Sequence, residues 1–369
     1  MARPSHAHFM ARAIELALKA KGQTSPNPIV GVIITRQGRV LSEGFHRKAG
    51  QDHAEIIALK KLEKNEANGS TMYVTMEPCS HHGKTPPCAP RIVEAGIQRV
   101  VIGCRDANPQ VNGQGIRWLK DAGVEVIEGV MHDACIHLNL PFQKFITTKL
   151  PFVTLKVAMS LDGKIATATG ESHWISNTLS RQYVHQLRDQ VDAILIGAGT
   201  LKRDDPLLTV RLPRKKSEKQ PLVVIVDASL ESPTTRQLFK VKGRQVVLAT
   251  TQLVSSEKKK IFTDLGAEVL TLPADLTGRV DLRELLRALG KKGVTHLLVE
   301  GGSSIFSAFI SEKLVDHLVC FLAPKILGGQ ALDWLPEINI RNLKDALELD
   351  NLSVKTLGDN VLIEGELKK

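Results

Sequence analysis

Two successive series of short apolar segments, each alternating with amphipathic ones, constrain the fold of this chain more than any other feature. In the first series, strand-like runs cover 29–36, 40–45, 71–76, 100–104 and 124–129, and helix-like patterns cover 54–63, 88–95 and 115–122. Such alternation is typical of a sheet packed between helices. The first series therefore predicts an α/β domain with an α/β/α layer.

A second series begins after a boundary near residues 147–152, where Pro151 precedes a new apolar run. Its strand-like runs cover 153–159, 193–197, 222–227, 245–250, 268–271, 296–300 and 318–323, with helix-like patterns at 180–189, 281–289 and 304–312. At 369 residues the chain also exceeds what one hydrophobic core usually supports. We therefore predict two α/β domains, residues 1–147 and 148–369.

The strongest chemical signal is His53-Ala54-Glu55, followed by Pro78-Cys79 and then Cys88. One imidazole and two thiolates are good zinc ligands, and three protein ligands leave a fourth position for water, whose pKa zinc lowers. Glu55 can reach that water and move protons without binding the metal. The pattern is close to the His-x-Glu … Pro-Cys-x-x-Cys signature of zinc nucleobase deaminases. We predict a catalytic zinc held by His53, Cys79 and Cys88, with Glu55 as the proton-transfer residue.

The spacing departs from that signature, because eight residues rather than two separate Cys79 from Cys88. The glycine and paired prolines of this insert predict a fixed loop, after which Cys88 opens a helix whose N-terminus favours a thiolate. The alternatives are a structural zinc site, with His81 or His82 as fourth ligand, and two unrelated buried cysteines. Glu55 favours the catalytic interpretation because a structural site has no role for it.

The net charge of +10 raises nucleic acid as a partner, because a basic excess attracts phosphate. The densest basic runs, 211–219 and 258–260, are flanked by turn-like sequence, which is typical of solvated loops. Only 4% of the residues are aromatic, whereas binding of single strands favours surface aromatics. We expect small phosphorylated substrates and no nucleic acid. A polynucleotide-editing deaminase whose C-terminal half binds RNA is the alternative.

The N-terminal segment and the cysteines indicate where the protein acts. Residues 1–23 form an amphipathic pattern without a secretory apolar core, and no apolar run approaches the roughly 20 residues that span a bilayer. A mitochondrial presequence is the alternative, although the first motif already begins at Ser25. The five cysteines form no even disulfide pattern, which fits a reducing compartment. We expect a cytoplasmic protein with no membrane partner.

Two glycine-containing segments in the second half each follow a strand, Ile-Gly-Ala-Gly-Thr at 196–200 and Val-Glu-Gly-Gly-Ser-Ser at 299–304. Glycine lets the backbone approach a ligand closely, and a helix N-terminus attracts phosphate. These segments favour a nucleotide pyrophosphate site, with a plain tight turn as the alternative.

Several longer motifs resemble one family over essentially the whole chain. They cover 25–31, 44–46, 49–50, 53–55 and 77–88 in the first half, and 156–164, 172–175 and 199–211 in the second. On these motifs the chain resembles the bifunctional riboflavin-biosynthesis deaminase/reductases, whose form of the deaminase motif contains the long insert between the cysteines. The resemblance implies a cytidine-deaminase-like first domain and a dihydrofolate-reductase-like second domain that uses NADPH.

The resemblance also implies that a set of polar side chains lines the deaminase pocket: Asn27, His46, Lys84, Asp106 and Asn108. An amide such as that of Asn27 offers a donor and an acceptor to a pyrimidine edge, and Lys84 supplies a point charge for a sugar phosphate. From the residues alone, Asn27 between two prolines also fits a turn, and Lys84 a solvated loop.

In the second domain the resemblance implies contacts to the cofactor and to the substrate. The implied cofactor contacts are Ala158, Trp174, Thr200, Asp204, Ser229, Gly301, Gly302, Ser303, Ser304, Ile305 and Phe306, and the implied substrate contacts are Lys156, Ser172, Arg188, Leu208, Arg211 and Glu300. Arg188 and Arg211 are candidate phosphate clamps because a guanidinium binds phosphate through two parallel N–H groups. Lys156 and Asp204 are candidates for polarising or protonating the ribose, with a structural ion pair as the alternative.

The function implied by the resemblance is two consecutive steps of riboflavin synthesis in a homo-oligomeric enzyme. Zinc-dependent deamination of 2,5-diamino-6-ribosylamino-4(3H)-pyrimidinone 5′-phosphate comes first. NADPH then reduces the ribosyl group, giving 5-amino-6-ribitylamino-uracil 5′-phosphate. The alternatives are a structural zinc scaffold, in which Glu55 is dispensable, and an enzyme with one degenerate half.

Overall fold

The computed structural model of the chain describes residues 4–81, 86–109, 111–212 and 220–368. The chain divides into two compact units, Met1–Lys149 and Leu150–Lys369. The division lies within the segment 147–152, where the sequence predicts a domain boundary. Within the described ranges, none of the helices has the length and apolarity that crossing a bilayer requires.

The N-terminal unit contains one five-stranded sheet of order β2-β1-β3-β4-β5. Its strands are β1 (Gly31–Arg36), β2 (Arg39–Phe45), β3 (Thr71–Met76), β4 (Arg99–Cys104) and β5 (Glu125–Glu128). Its helices are α1 (His6–Leu18), α2 (Ala54–Leu59), α3 (Cys88–Glu94), α4 (Gln114–Asp121), α5 (His132–Leu138) and α6 (Leu140–Thr148). Strand β1 pairs antiparallel with β2 and β3, whereas β3, β4 and β5 run parallel.

Helices cover both faces of this sheet because successive side chains of a strand point to opposite sides. Val32 and Ile34 of β1 belong to a buried cluster with residues of α2, α3 and α4. Ile33 belongs to another buried cluster with Phe9 and Met10 of α1. The predicted α/β/α layer is confirmed.

The C-terminal unit is built on a nine-stranded sheet of order β11-β10-β9-β8-β12-β6-β13-β16-β15 and a small sheet of β14 and β7. Its strands are β6 (Phe152–Ser160), β7 (Lys164–Ala166), β8 (Ala193–Gly197), β9 (Leu222–Val226), β10 (Val246–Thr251), β11 (Glu268–Leu272), β12 (His296–Gly301), β13 (His317–Ala323), β14 (Leu332–Asp333), β15 (Leu349–Leu357) and β16 (Asn360–Leu367). Its helices are α7 (Thr178–Gln190), α8 (Ala198–Asp204), α9 (Ser256–Asp264), α10 (Leu282–Lys291) and α11 (Ser303–Ser311), with 3-10 turns at Gln237–Lys240 and Leu343–Asp345.

The strands from β11 to β13 in this order run parallel, and β16 pairs antiparallel with both β13 and β15. Parallel strands covered on both faces form continuous apolar runs, which is why the sequence pattern locates them. The apolar runs therefore predict this part of the sheet well.

Parts of the fold differ from the sequence prediction, among them helices α8 and α9 and strands β7 and β14, which it leaves out. The hairpin of β15 and β16 is not predicted, because β15 is a largely exposed edge strand and lacks an apolar run. Helices α5 and α6 are not predicted either. Helix α2 ends at Leu59, four residues before the predicted end, and Lys60 is its C-cap.

Gly31→Ala tests the close packing of α1 on β1. A methyl group at Gly31 would lie 1.9 Å from the main-chain oxygen of Ala13, which cannot move without displacing the helix. We expect the free energy of unfolding to fall by about 3 kcal/mol, the upper part of the range for overpacking. Urea unfolding measures it. Gly329→Ala is the control, since nothing lies within 4 Å of its Cβ position. Equal stability of the two variants would contradict the packing.

Candidate functional site

Three elements bring the predicted zinc ligands together at one end of the N-terminal sheet. His53 is the N-cap residue of α2, and Cys88 is the first residue of α3. Cys79 lies in the segment that leaves β3. The main-chain N–H groups of Cys88 and Ala89 donate to the main-chain oxygen of Cys79, at 3.0 and 3.1 Å, and hold the start of α3 beside Cys79.

The ligand atoms of His53, Cys79 and Cys88 lie within 4.8 Å of one another. Nδ1 of His53 is 3.5 Å from Sγ of Cys79 and 3.3 Å from Sγ of Cys88. The pKa of Cys79 falls to about 4, because hydrogen bonds from the Cys88 thiol and from His53 stabilise its thiolate. An imidazole and two sulfurs, one already favouring the thiolate, fit zinc.

Glu55 lies beside this group, in the first turn of α2, and is 3% exposed. Burial raises its pKa to about 7, and the nearby Cys79 thiolate acts in the same direction. A carboxyl group with a pKa near neutrality can both accept and donate a proton at physiological pH. The geometry therefore suits a proton-transfer role.

Asn27 and His46 form a pair on the other side of His53. Nδ2 of Asn27 lies 3.2 Å from Nε2 of His46, and the His46 ring packs edge-on against His53 with centroids 5.4 Å apart. His46 is 2% exposed, and its Nδ1 lies 3.0 Å from the main-chain oxygen of Asp52. The structure thus joins two of the predicted pocket residues to a metal ligand.

Asp106 and Asn108 lie in the segment that follows β4. Oδ1 of Asp106 accepts a 2.8 Å hydrogen bond from the N–H of Asn108, and burial raises the pKa of Asp106. Lys84 and His82 lie outside the described residues. His81 is exposed and lies outside the group of three ligands found among the described residues.

Glu77 is absent from the predicted site residues, and it connects the segment after β4 with the start of α4. Its carboxylate, 4% exposed, accepts hydrogen bonds from four main-chain N–H groups, those of Asp106, Gly113, Gly115 and Ile116, at 2.9 to 3.2 Å. The last two belong to the first turn of α4, so Glu77 caps this helix from another element. Its position before Pro78-Cys79 is the sequence signal for it, since a carboxylate ends an otherwise apolar strand.

In the C-terminal unit a cavity of about 610 Å³ collects most of the predicted cofactor and substrate residues. Its lining includes Lys156, Ala158, Ser172, Trp174, Arg188, Thr200, Asp204, Leu208, Arg211, Glu300, Gly301, Gly302, Ser303 and Phe306. Three predicted residues do not line it. Ile305 lies close to the Cα of Gly197, Ser304 is near Glu337, and the main-chain oxygen of Ser229 accepts from Lys258.

A buried charge cluster occupies the base of this cavity. The Nε and Nη2 atoms of Arg188 donate to the two carboxylate oxygens of Glu300 at 2.6 and 2.8 Å, and Nη1 donates to the oxygen of Thr209 at 3.2 Å. Nζ of Lys156 lies 3.6 Å from Glu300. Arg188 therefore directs its fork at Glu300, so Arg211 is the more accessible of the two candidate phosphate clamps.

Burial changes the protonation of the groups around this cluster. It lowers the pKa of Lys156 and raises the pKa of Asp204. Burial also lowers the pKa of His185 to about 4, and the nearby charges of Arg188 and Arg211 act in the same direction. His185 lines the cavity and is absent from the predicted site. Its position one turn before Arg188 on α7 is the signal that could have found it.

The family models that match this chain divide it as the structure does. Residues 3–104 match the cytidine and deoxycytidylate deaminase zinc-binding region, and residues 151–363 match the RibD C-terminal domain. Riboflavin biosynthesis protein RibD of Actinobacillus pleuropneumoniae is 41% identical over 360 residues, covering 96% of this chain and 94% of that protein. RibD of Escherichia coli K12 is 36% identical over 366 residues, covering 96% and 98%.

Solved structures are similar over almost the full length. Acinetobacter baumannii RibD superposes with a TM-score of 0.87 at 36% identity and covers 99% of both chains. The diaminohydroxyphosphoribosylaminopyrimidine deaminase/5-amino-6-(5-phosphoribosylamino)uracil reductase of Thermotoga maritima has a TM-score of 0.84 at 36% identity, covering 98% of this chain and 99% of that one.

Fold and site together define a zinc-dependent, cytidine-deaminase-like domain joined to a dihydrofolate-reductase-like domain. The reductase domain of this class uses NADPH. The chain belongs to the RibD family of riboflavin-biosynthesis enzymes, which combine a deaminase with a reductase. The fold class, the two cofactors and the family expected from the sequence are confirmed.

Glu77→Gln tests the buried carboxylate that joins the metal loop to α4. A glutamine amide offers one oxygen and one NH₂, so two of the four N–H groups lose their acceptor. We expect a loss of roughly 2–3 kcal/mol, the penalty for unsatisfied buried donors. Faster amide hydrogen exchange over Gln114–Asp121 and urea unfolding of the full chain measure it. Exposed Glu94→Gln, the control, should change stability by less than about 0.5 kcal/mol. Unchanged protection of α4 would contradict the capping role.

Proposed function

We propose that residues 1–147 deaminate 2,5-diamino-6-ribosylamino-4(3H)-pyrimidinone 5′-phosphate and that residues 148–369 then reduce its ribosyl group with NADPH. The product is 5-amino-6-ribitylamino-uracil 5′-phosphate. The single observation that carries the proposal is the group of His53, Cys79 and Cys88, whose ligand atoms lie within 4.8 Å of one another beside the buried carboxyl group of Glu55.

In the deamination step the metal ligands and Glu55 have separate roles. Zinc held by His53, Cys79 and Cys88 would supply Lewis-acid chemistry, which makes a water molecule nucleophilic at neutral pH. Glu55 accepts the proton that water loses and passes it to the exocyclic amine, which leaves as ammonia. A pKa of about 7 supports both transfers, since neither protonation state is strongly disfavoured.

The pocket residues of the deaminase are proposed to hold the substrate around this centre. Asn27 and His46 lie beside the metal ligand His53 and are assigned to the pyrimidine. Glu77 accepts from the main chain of Asp106, and Asp106 accepts from that of Asn108, and both residues are assigned to the polar groups of the sugar. Lys84 is assigned to the phosphate on the basis of its charge.

In the reduction step the protein orients the sugar against the nicotinamide. When bound, NADPH would supply the hydride for C1 of the ribosyl group, and the ring oxygen would take up a proton as the ring opens to the ribityl chain. Gly301, Gly302 and Ser303 stand at the start of α11, where main-chain N–H groups attract the pyrophosphate. Ser229, Ser304 and Ile305 remain in the proposed cofactor set on family resemblance alone.

Lys156, Asp204 and Arg211 are proposed to act on the reductase substrate. Burial lowers the pKa of Lys156 and raises the pKa of Asp204. Both pKa values therefore move towards physiological pH, which favours proton exchange with the ribose. Arg211, at the accessible side of the cavity, is assigned to the phosphate.

We extend the proposal to the setting of the enzyme. All five cysteines are free thiols, which supports a reducing, cytoplasmic location. Large apolar side chains at the edge strand β15, Leu352 and Val354, are 60% and 58% exposed and support a homo-oligomer. The cationic side chains that line the cavity of the C-terminal unit, Lys156 and Arg211, support small phosphorylated pyrimidines, and no nucleic acid, as ligands.

Glu55→Gln tests the deaminase half. Anaerobic incubation of the full chain with the diaminopyrimidine phosphate and NADPH should release ammonia and oxidise NADPH in the wild type. The variant should release ammonia at least about 100-fold more slowly, since general acid–base catalysis is lost. Metal analysis should find zinc still bound. Exposed Glu63→Gln should behave as wild type. Loss of zinc from the Glu55 variant would show that Glu55 is a ligand and its proposed role wrong.

Gly302→Ala tests the reductase half in the same assay. The new Cβ would lie 3.1 Å from Oγ1 of Thr200, a tight contact at the proposed pyrophosphate site. We expect KM for NADPH to rise by about tenfold, equivalent to about 1.4 kcal/mol, while ammonia release keeps its wild-type rate. Equal loss of both activities would argue against separable sites.

A further inference from the structure

Residues 207–211, which we name the strap, contribute to the lining of the cavity in the C-terminal unit and carry Arg211. Within the strap, Leu208 has a φ of 49°, in the left-handed region that a bulky residue adopts only where its surroundings fix it. The Leu208 side chain is 3% exposed and packs in a buried apolar cluster. The conformation of the strap therefore depends on contacts with other parts of the unit.

Side chains from other segments hold the main chain of the strap. Nη2 of Arg244 donates to the main-chain oxygen of Leu207. Oε1 of Gln220 accepts a hydrogen bond from the main-chain N–H of Val210 at 2.9 Å. The strap thus has main-chain anchors at its first and fourth residues, and both anchors are polar side chains from outside it.

His185 of α7 anchors the last part of the strap. Its Nδ1 lies 3.1 Å from the main-chain oxygen of Thr209 and 3.3 Å from the main-chain nitrogen of Arg211. The ring therefore contacts the main chain on both sides of Val210. Arg188, one turn later on the same helix, donates from Nη1 to the same oxygen of Thr209 at 3.2 Å. One turn of α7 thus holds the residues next to the Arg211 side chain.

The contacts of His185 reach the Arg211 guanidinium by two routes. The first is the main-chain nitrogen of Arg211 itself. The second passes through Thr209, whose Oγ1 accepts a hydrogen bond from Nη1 of Arg211 at 2.7 Å. An arginine side chain loses several rotatable bonds when it binds a ligand. Because both routes restrict Arg211 beforehand, less conformational freedom remains to be lost on binding.

His185 holds the strap without adding a positive charge. Burial and the charges of Arg188 and Arg211 lower its pKa to about 4, whereas Glu300 of β12 acts in the opposite direction. The ring is therefore neutral at physiological pH. Arg188 is paired with Glu300, so a neutral side chain at this position leaves the binding of an anion to Arg211.

We propose that His185 is a positioning residue of the reductase, which holds the strap so that Arg211 faces the 5′-phosphate of the substrate and thereby makes the enzyme selective for phosphorylated sugars. The proposal rests on the proposed function, which assigns Arg211 to that phosphate. Because side-chain contacts order the strap before the ligand arrives, the phosphate does not have to order it, and less free energy is lost on binding.

The contribution of the phosphate to binding measures this role. Isothermal titration calorimetry of the full chain without NADPH gives Kd for 5-amino-6-ribitylamino-uracil 5′-phosphate and for the same compound without its phosphate. We define the phosphate selectivity as the Kd of the unphosphorylated compound divided by that of the phosphorylated one. Arg211→Ala should lower this ratio at least about tenfold, or about 1.4 kcal/mol, because hydrogen bonds to charged groups are strong.

His185→Ala and His185→Asn test the positioning role. The alanine variant should lower the phosphate selectivity about fivefold, with Kd of the unphosphorylated compound within about twofold of wild type. Asparagine places its amide atoms as many bonds from the main chain as Nδ1, can donate or accept, and should restore most of the selectivity. Equal weakening of both compounds in His185→Ala, or no recovery in His185→Asn, would overturn the positioning role.

The control is Gln186→Ala, which truncates the next residue of the same helix. Gln186 is exposed, so this variant should have wild-type selectivity. Alanine is the best helix former, and α7 should stay folded in both alanine variants, as thermal unfolding checks. A loss of selectivity in Gln186→Ala equal to that in His185→Ala would assign the effect to α7 as a whole and would contradict the role of the His185 ring.

A double variant separates this inference from the proposed function. If His185 acts through Arg211, the double alanine variant should have the same selectivity as Arg211→Ala, whereas independent roles would add. Additive losses therefore overturn the inference. Unchanged selectivity in Arg211→Ala would show that Arg211 does not bind the phosphate, which overturns that part of the proposed function and the inference with it. A loss in Arg211→Ala together with wild-type selectivity in His185→Ala overturns the inference alone.

Discussion

The N-terminal unit depends on one constraint: the ligand atoms of His53, Cys79 and Cys88 must lie within 4.8 Å of one another. Cys79 and Cys88 follow His53 by 26 and 35 positions in the chain. A single helix cannot supply such a set, so the end of β3 and the starts of α2 and α3 have to converge. Close main-chain approaches make this possible. Gly44 lies against Ala54 and Ala58 of α2, and Gly115 lies against the oxygen of Pro78, where any side chain would clash. Small residues at these positions are a condition of the metal site.

The same convergence explains why Glu77 is buried. The segment after β4, which carries Asp106, and the start of α4 both present main-chain N–H groups that would otherwise lack acceptors. The Glu77 carboxylate satisfies four of them and so ties the segment after β4 and the start of α4 to the segment that carries Cys79. The deaminase site is therefore built at the ends of helices and strands. Polar contacts hold these ends together, and apolar contacts stabilise the sheet beneath them.

The C-terminal unit faces a different constraint, because its charged residues lie at the end of a central strand. Glu300 is the second-last residue of β12, which lies between β8 and β6, and its carboxylate is buried. Arg188 from α7 and Lys156 from β6 balance it. A buried carboxylate with two cations keeps a pKa of about 2, so it stays ionised and holds Arg188 in place. Because Glu300 binds Arg188 and Lys156, Arg211 and Asp204 remain as the charged residues that face the cavity.

The sequence by itself determined the group of three zinc ligands, the order of most strands along the chain and the family, and it predicted Glu55 as the proton-transfer residue. These depend on local spacing and on apolar runs, which are visible in one dimension. Only the tertiary structure decided the capping contacts of Glu77, the place of His185 in the cavity lining, the pairing of Arg188 with Glu300, and the hydrogen bond between Asn27 and His46. Each of these is a contact between segments far apart in the chain, and its geometry depends on how the elements pack. The spacing of residues along the chain does not specify that packing. The edge strand β15 and the hydrogen-bond partners of the site residues are therefore visible only in the folded structure.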